Sequence, residues 1–180
     1  PLKKGLIKNQ IYVVNYNFEL YSNFTFFLED SINGDQIRQK EKRNLLGYNG
    51  TLQSNHKIIG LDGEFQSGLQ FRYDFSKDNE LANTLNRSET RNQLQYGNIK
   101  EANLAVFIAE QVTLSKKWNV ELGLRFEKFF NTYQDGLNNG TTIDAGSFNV
   151  YPKCSAFYQA NKKMQLYWKF GKGDLRSRGA

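Results

Sequence analysis

Apolar and polar residues alternate one by one over long stretches of this chain, and only an extended backbone sorts such a pattern onto two faces. From Ile59 to Tyr73 the odd positions are Ile59, Leu61, Gly63, Phe65, Ser67, Leu69, Phe71 and Tyr73; between them lie Gly60, Asp62, Glu64, Gln66, Gly68, Gln70 and Arg72. Successive side chains of a strand point to opposite faces, so this segment reads as a strand with one strictly polar side. A helix would wind both sets around its axis and leave no continuous apolar stripe.

The same signal recurs along the chain. Tyr16, Phe18, Leu20, Ser22, Phe24, Phe26 and Leu28 alternate with residues that include Asn17, Glu19, Asn23, Thr25 and Glu29. Ala102, Leu104, Val106, Ile108, Val112 and Leu114 form one stripe, and Trp118, Val120, Leu122, Leu124 and Phe126 the next. Phe148, Val150, Cys154, Ala156 and Tyr158 form another, followed by Met164, Leu166, Trp168 and Phe170. Leu46, Tyr48 and Leu52 match the pattern more weakly between Asn44 and Ser54, and Leu6 to Val13 suggests an early strand. Six strands are expected, with two more at these weaker places.

The connections are expected to alternate in length. Asn55 to Lys57, Ser115 to Lys117 and Gln159 to Lys163 read as short turns; Asp30 to about Arg43, Ser76 to Asn98 and Asn131 to Ser147 read as long loops. The long ones carry turn-forming residues: Asn33-Gly34-Asp35, Asp135-Gly136 and Asn138-Asn139-Gly140. Asn79 to Leu94 has room for a short helix. Strict alternation of tight turns with long loops is a property of outer-membrane barrels, which turn sharply on the periplasmic side and carry their loops outside. Aromatics near strand ends fit the interfacial girdles of such a barrel: Trp118, Tyr167 and Trp168 near short turns, and Phe129, Phe130 and Tyr133 by a long loop.

Alternation alone leaves open which face meets water. A soluble lipocalin-like barrel would turn the apolar stripe inward. A membrane barrel would turn it to lipid, and here the polar stripe mixes Gly, Gln, Asn and charges of both signs, as a wet lumen does. The fold class expected is therefore all-β, an antiparallel transmembrane β-barrel. Mean hydropathy is −0.66, and no apolar run approaches the ~18 residues that a spanning helix needs. The formal net charge of +6 is carried largely by expected turns and tails, at Lys3, Lys4, Lys57, Lys116, Lys117, Lys162, Lys163, Arg176 and Arg178. A nucleic-acid face would gather basic and aromatic residues on one element, so no nucleic-acid partner is expected.

Catalytic chemistry finds little footing. His56 is the lone histidine, placed in an expected polar turn with no Cys near it, and a zinc site needs more ligands. Cys154 is the lone cysteine, lies on an apolar stripe and has no histidine base nearby. Asp74, Asp78 and Glu80 are spaced loosely like oxygen ligands for calcium but lack the glycine-centred loop. Glu29, Asp30 and Asp35 are expected to pair with Arg38, Lys40 and Arg43 at a solvated rim. No phosphate-binding loop, dinucleotide fingerprint or nucleophile elbow is present. The expectation is a non-enzyme with no catalytic, cofactor-binding or metal-binding residues and no cofactor.

Two stretches resemble TonB-dependent outer-membrane receptors, particularly those of Bacteroidetes-type bacteria. The first runs from Leu20 through Tyr21, Ser22, Asn23, Phe24, Thr25, Phe26, Phe27 and Leu28 to Glu29 and Asp30, then Asn33 to Gln36 and Gln39 to Arg43. The second runs from Pro152-Lys153-Cys154 to Gln165-Leu166-Tyr167-Trp168-Lys169-Phe170-Gly171-Lys172-Gly173. Gly68-Leu69-Gln70-Phe71-Arg72-Tyr73-Asp74 and Gly123-Leu124-Arg125-Phe126-Glu127 are similar to the recurrent strands of that family. The resemblance covers roughly Asn15 to Gly173 and fails at Asp174-Leu175-Arg176, which suggests a truncated mid-barrel fragment.

The resemblance implies a barrel of about 22 strands plugged by a separate domain. It implies uptake of a scarce solute such as a siderophore, cobalamin or glycan, with the TonB protein, the plug and outer-membrane lipid as partners. All of 1–180 would belong to the barrel, without the plug. The lumen face would include Asp62, Glu64, Gln66, Arg72, Glu121 and Arg125, with the long loops meeting the solute. Two rival readings remain: a small self-contained outer-membrane barrel acting as an adhesin or structural protein, and the soluble ligand-binding barrel.

Overall fold

The structure is a computed structural model that describes residues 5–173. The terminal stretch after Gly173 and the basic tails at Lys3, Lys4, Arg176 and Arg178 lie outside the described residues. Seven strands follow one another: β1 (Gly5–Ser22), β2 (Ile37–Ile58), β3 (Leu61–Leu85), β4 (Glu89–Thr113), β5 (Trp118–Asp135), β6 (Thr141–Asn161) and β7 (Met164–Gly171). They form one antiparallel meander in chain order, with β1 and β7 as its edges. This is an all-β, open sheet with the architecture of a partial barrel.

The ladders convert the alternating sequence into two continuous faces. On one face Leu46 opposes Tyr73, Tyr73 opposes Ala102 and Ala102 opposes Phe130. Val106 opposes both Leu69 and Phe126, Phe126 opposes Val150, and Cys154 lies between Leu122 and Phe170. The apolar stripes of six strands, β2 to β7, thus merge into one sheet of hydrocarbon, and the ladders from β2 to β6 beneath it run without a register shift; the β6–β7 ladder shifts only at its turn, between Gln159 and Asn161. These side chains stay exposed: Val106 at 45%, Leu122 at 58% and Phe148 at 59%. The only buried hydrophobics among the described residues are Ala82 and Ala105, so the Phe, Leu and Val stripe is not gathered in a dry centre.

Polar residues on the opposite face are the more occluded, with Asp74 at 5% and Ser155 at 1% exposure. No second layer covers that face, so the crowding comes from its own neighbours, as on the inside of a curved sheet. Glycines with aromatics across the ladder support this close approach. The ring of Tyr12 occupies the space a Cβ on Gly47 would need, and the Phe107 ring does the same over Gly68, whose Cβ would also meet Gly50 O at 2.8 Å. An aromatic laid over a facing glycine fills the gap left by the missing side chain.

Several expectations about the connections are corrected. The segments Ser76–Asn98 and Asn131–Ser147 are paired strand for most of their length, closed by tight turns after Leu85 and Asp135, and no helix forms over Asn79–Leu94. β3 and β4 have 25 residues each, against the ~9–11 that cross a bilayer, so their hairpin projects far past the apolar band. Alternation fades there because neither face meets hydrocarbon, while backbone pairing continues. Register shifts gather in the same zone, between Ser76 and Asn79, Leu81 and Ala82, and Asn83 and Thr84, as bulges do at barrel rims.

The first short turn is also displaced. Asn55, His56 and Lys57 are strand residues of β2, and the chain reverses at Ile59 and Gly60, both with positive φ, 49° and 81°. Two consecutive positive φ angles are the signature of the tight hairpin turn whose twist suits its strands, and Gly60 supplies one at no steric cost. At the start of the chain, the two expected strands are one: Leu6–Val13 and Tyr16–Ser22 belong to β1, and Asn23–Gln36 is a loop that takes Phe24, Phe26 and Leu28 out of the strand. The expected stripe of Tyr16, Phe18 and Leu20 is also corrected: the ladder sets them opposite Arg43, Glu41 and Gln39 on the polar face, and puts Ile7, Ile11 and Val13 on the apolar one. The loops after β1, β3 and β5 lie at one end of the sheet and the turns after β2, β4 and β6 at the other.

Candidate functional site

The six residues expected on the lumen side share the polar face: Asp62, Glu64, Gln66 and Arg72 from β3, and Glu121 and Arg125 from β5. The structure joins them to partners in a lattice across strands. Gln53 Nε2 donates to Glu64 Oε1 at 2.7 Å, and Lys153 Nζ to Glu121 Oε1 at 2.7 Å. Arg72 forks onto Asp74, at 2.6 Å and 3.2 Å. Arg125 donates to Glu127 at 3.1 Å and to Gln70 Oε1 at 2.7 Å, and Asn103 Nδ2 reaches Glu127 at 2.8 Å. Asp62 pairs with Lys57 in solvent, and Gln66 stays exposed.

The partner residues Gln53, Gln70, Asn103, Glu127 and Lys153 were not expected. Gln53, Asn103 and Lys153 reach their carboxylates on the adjacent strand and Gln70 reaches Arg125 across β4, so these pairings are visible only once the strands are aligned; Glu127 lies two residues from Arg125 on the same strand. The resulting wall alternates donors and acceptors and presents few free charges, which suits a surface kept wet and rigid.

Beyond the apolar band, a second polar layer ties the rim together. Arg38 Nη2 donates to both carboxylate oxygens of Glu80 at 3.0 Å and to Thr90 Oγ1 at 2.7 Å. Burial works against the charge on Glu80, yet the Gln93 amide and the Arg38 guanidinium outweigh it and hold its carboxyl below the usual carboxylate range. Asp78 accepts from Tyr96 Oη at 3.0 Å and from Lys42 Nζ at 3.3 Å, and these contacts lower its pKa in that order. Asp74, Asp78 and Glu80, the loosely spaced carboxylates, are thus each taken by a different cation. The expected pairing of Glu29, Asp30 and Asp35 with Arg38, Lys40 and Arg43 does not form. Arg38 takes Glu80 and Lys40 takes Glu19 at 3.4 Å, both on neighbouring strands, and Arg43 takes Glu41 two residues away on its own strand, because these carboxylates stand closer than those of the loop.

The loop carboxylates do a different task. Asp35 accepts the backbone amides of Glu29 and Asp30 at 3.0 Å and 2.8 Å. Asp30 accepts those of Ile32 and Asn33 at 3.0 Å and 2.9 Å, and pairs with Arg91 on β4 at 3.2 Å. Gln36 bonds Thr84 and the Arg87 amide at 3.1 Å and 2.8 Å, pinning the loop to the tip of the β3–β4 hairpin. The tied loop holds Phe24, Phe26, Phe27, Leu28 and Ile32 out in the open, at 58% to 85% exposure.

At the short-turn end, Trp118 packs on the apolar face against Tyr158, tilted with ring centroids 4.7 Å apart, and stacks with Trp168 at 6.0 Å. Tyr167 projects to the polar face instead, by the parity of its ladder. His56 lies in β2 rather than in a turn, with Nε2 3.3 Å from Glu110 Oε1, while Cys154 is exposed on the apolar stripe.

A family model described as TonB dependent receptor-like, beta-barrel matches residues 6–173. No curated protein matches in sequence. Among solved structures, the chain is similar to the ferric-catecholate import receptor Fiu from E. coli K12 in its open form, with a TM-score of 0.65 at 10% identity. The match covers 94% of this chain and 33% of that receptor, so the chain spans about a third of its length. At that identity the likeness speaks for the fold.

Proposed function

The chain belongs to the TonB-dependent receptor-like β-barrel family, and on that premise we propose that it is part of the wall of an outer-membrane receptor that imports a scarce solute with energy delivered through TonB. All of 1–180 belongs to the barrel in this reading, and the plug lies outside these residues. The solute class is that of siderophores, cobalamin, glycans or similar compounds too large for passive pores. The chain's own contribution is structural and selective: a lipid-facing stripe, a wet wall against the plug, and long hairpins that meet the solute first.

The observation that carries this reading is the two-faced sheet. An apolar face continuous over six strands, with half-exposed Val, Leu and Phe, has no partner but hydrocarbon at that scale, since soluble proteins rarely expose contiguous apolar patches beyond a few hundred Å². The opposite face is hydrogen-bonded and ionic, as a lumen wall is. The small-barrel alternative has no comparable support, because the family match and the structural likeness both point to a larger barrel.

The test uses the full-length receptor in its own cell. It should fractionate with the outer membrane, and its deletion should abolish growth on one limiting solute that requires TonB for entry. Uptake that persists at full rate in a strain lacking TonB would overturn the proposal.

A further inference from the structure

We propose that Lys77, Lys100 and Lys128, with Lys42, form a basic collar that binds the phosphate groups of lipid headgroups in the leaflet around the barrel's loop end. The inference rests on the membrane reading above and adds a ligand to it. All four lysines project from the apolar face, as their ladders require. Each sits where the stripe meets the loop end: Lys77 follows Phe75, Lys100 precedes Ala102 and Leu104, and Lys128 lies between Phe126 and Phe130. The register sets Lys100 opposite Phe75 and Lys128 opposite Leu104, so the line of lysines steps towards the short-turn end from β3 to β5. Strands tilted by ~35–45°, as in membrane barrels, turn such an oblique line into a level ring.

The ring geometry shows why this is an interface site. Lys77 Nζ and Lys100 Nζ lie over the same Phe75 ring, at 5.0 Å and 5.7 Å from its centroid, and Lys128 Nζ lies 5.3 Å over Phe130. Each ammonium therefore rests on an aromatic that belongs at the hydrocarbon boundary, with its stem along apolar surface and its head towards water.

The charge is only partly compensated. Lys42 and Lys77 stand directly opposite in the ladder, an arrangement that destabilises a sheet unless an anion relieves it. Asp78 pairs with Lys42, is held by Tyr96 and lies within the field of Lys77, so one carboxylate serves both lysines. Among the described residues, no carboxylate lies within 4.0 Å of Lys77, Lys100 or Lys128. Asp144 is bonded by Thr132 at 2.7 Å, and Glu41, Glu101 and Glu127 face the other side. Three ammonium groups on an oblique line, each at the hydrocarbon edge, fit phosphates fixed at headgroup depth. A mobile solute would have no reason to require the aromatic platforms.

The experiment places the full-length receptor in phosphatidylcholine nanodiscs and measures retention of added diphosphoryl lipid A, its dephosphorylated analogue, or the phosphorylated lipid in competition with inorganic phosphate. The wild type should prefer the phosphorylated lipid by roughly tenfold or more, and K77Q/K100Q/K128Q should lose that preference. K57Q/K116Q/K117Q, altered at the other end, should keep it; if the first triple variant fails to assemble, K100Q alone should show a partial loss. Equal retention of both lipids by the wild type, or an unchanged preference in the variant, overturns the collar while leaving the membrane reading intact. Displacement of the lipid by inorganic phosphate overturns the commitment to a headgroup. Failure of the wild type to enter any bilayer sinks both proposals.

Discussion

Arg125 on β5 donates to Gln70 on β3 at 2.7 Å and so bridges the whole width of β4. The strand it crosses carries Ala105, which opposes both Gln70 and Glu127 and is 1% exposed. The bridge exists because position 105 holds a small side chain. Ala105→Leu should therefore push Arg125 off Gln70 and cost about 1–3 kcal/mol through overpacking. Urea unfolding of the receptor in detergent would register it, and an unchanged midpoint would refute the arrangement. Arg125→Ala should also destabilise, by about 1–2 kcal/mol, by leaving the largely buried Glu127 carboxylate with Asn103 alone.

A second prediction separates the two faces by chemistry alone. Val106 lies in the middle of the apolar stripe on β4, and Gln66 lies exposed on the polar face of β3. An arginine at the bilayer midplane costs ~2–4 kcal/mol, whereas lumen substitutions are tolerated. Val106→Arg should lower barrel stability by about that amount, and Gln66→Arg should leave it within about 0.5 kcal/mol. Equal effects in refolding assays on lipid vesicles would mean that the apolar face does not meet lipid.

How far these features could be read beforehand depends on what each residue faces. From Leu61 to Tyr73 each residue confronts either hydrocarbon or water, so composition reports orientation directly and the alternating faces were legible. From Ser76 onward both faces are wet. Thr84, Thr90 and Gln93 are then as acceptable in a strand as in a loop, and the hairpin read as a long loop. The same ambiguity misplaced the first turn, because Asn55-His56-Lys57 is polar for its position in the strand and not for turning. Within the polar wall, charged residues were visible one at a time. Their pairing was hidden, since Arg125 and Gln70 are 55 positions apart.

The turn at Ile59 and Gly60 supplies a third prediction. Ile59 is 99% exposed, gains no packing there, and holds φ at 49°, where a β-branched side chain is strained. Asn tolerates this region and, before glycine, forms the preferred two-residue hairpin turn. Ile59→Asn should stabilise the β2–β3 hairpin by about 1 kcal/mol, whereas Gly60→Val should destabilise it. Thermal unfolding of the two variants should move in opposite directions.

The loop between β1 and β2 should respond to acid. Asp35 is held below the usual carboxylate range first by the Glu29 amide and then by that of Asp30; Asp30 is lowered by the backbone and side chain of Asn33 and by the amide of Ile32. A depressed folded-state pKa means that the contribution to loop order is complete above the unfolded value, ~3.9 for Asp, and is lost as pH falls through the lower folded value. The amides of Glu29, Asp30, Ile32 and Asn33 should stay protected from neutral pH down to about pH 4 and lose protection below it, after correction for the intrinsic exchange rate. Asp35→Asn should bring the loss to neutral pH, because the amide is a weaker acceptor for two backbone donors than the carboxylate. Since Asp30 also anchors the loop to Arg91, Arg91→Gln should loosen the loop's attachment to the β3–β4 tip while leaving the Asp35 turn closed. Protection lost at both places in Arg91→Gln would show that the loop is held by the ion pair and not by its own amides.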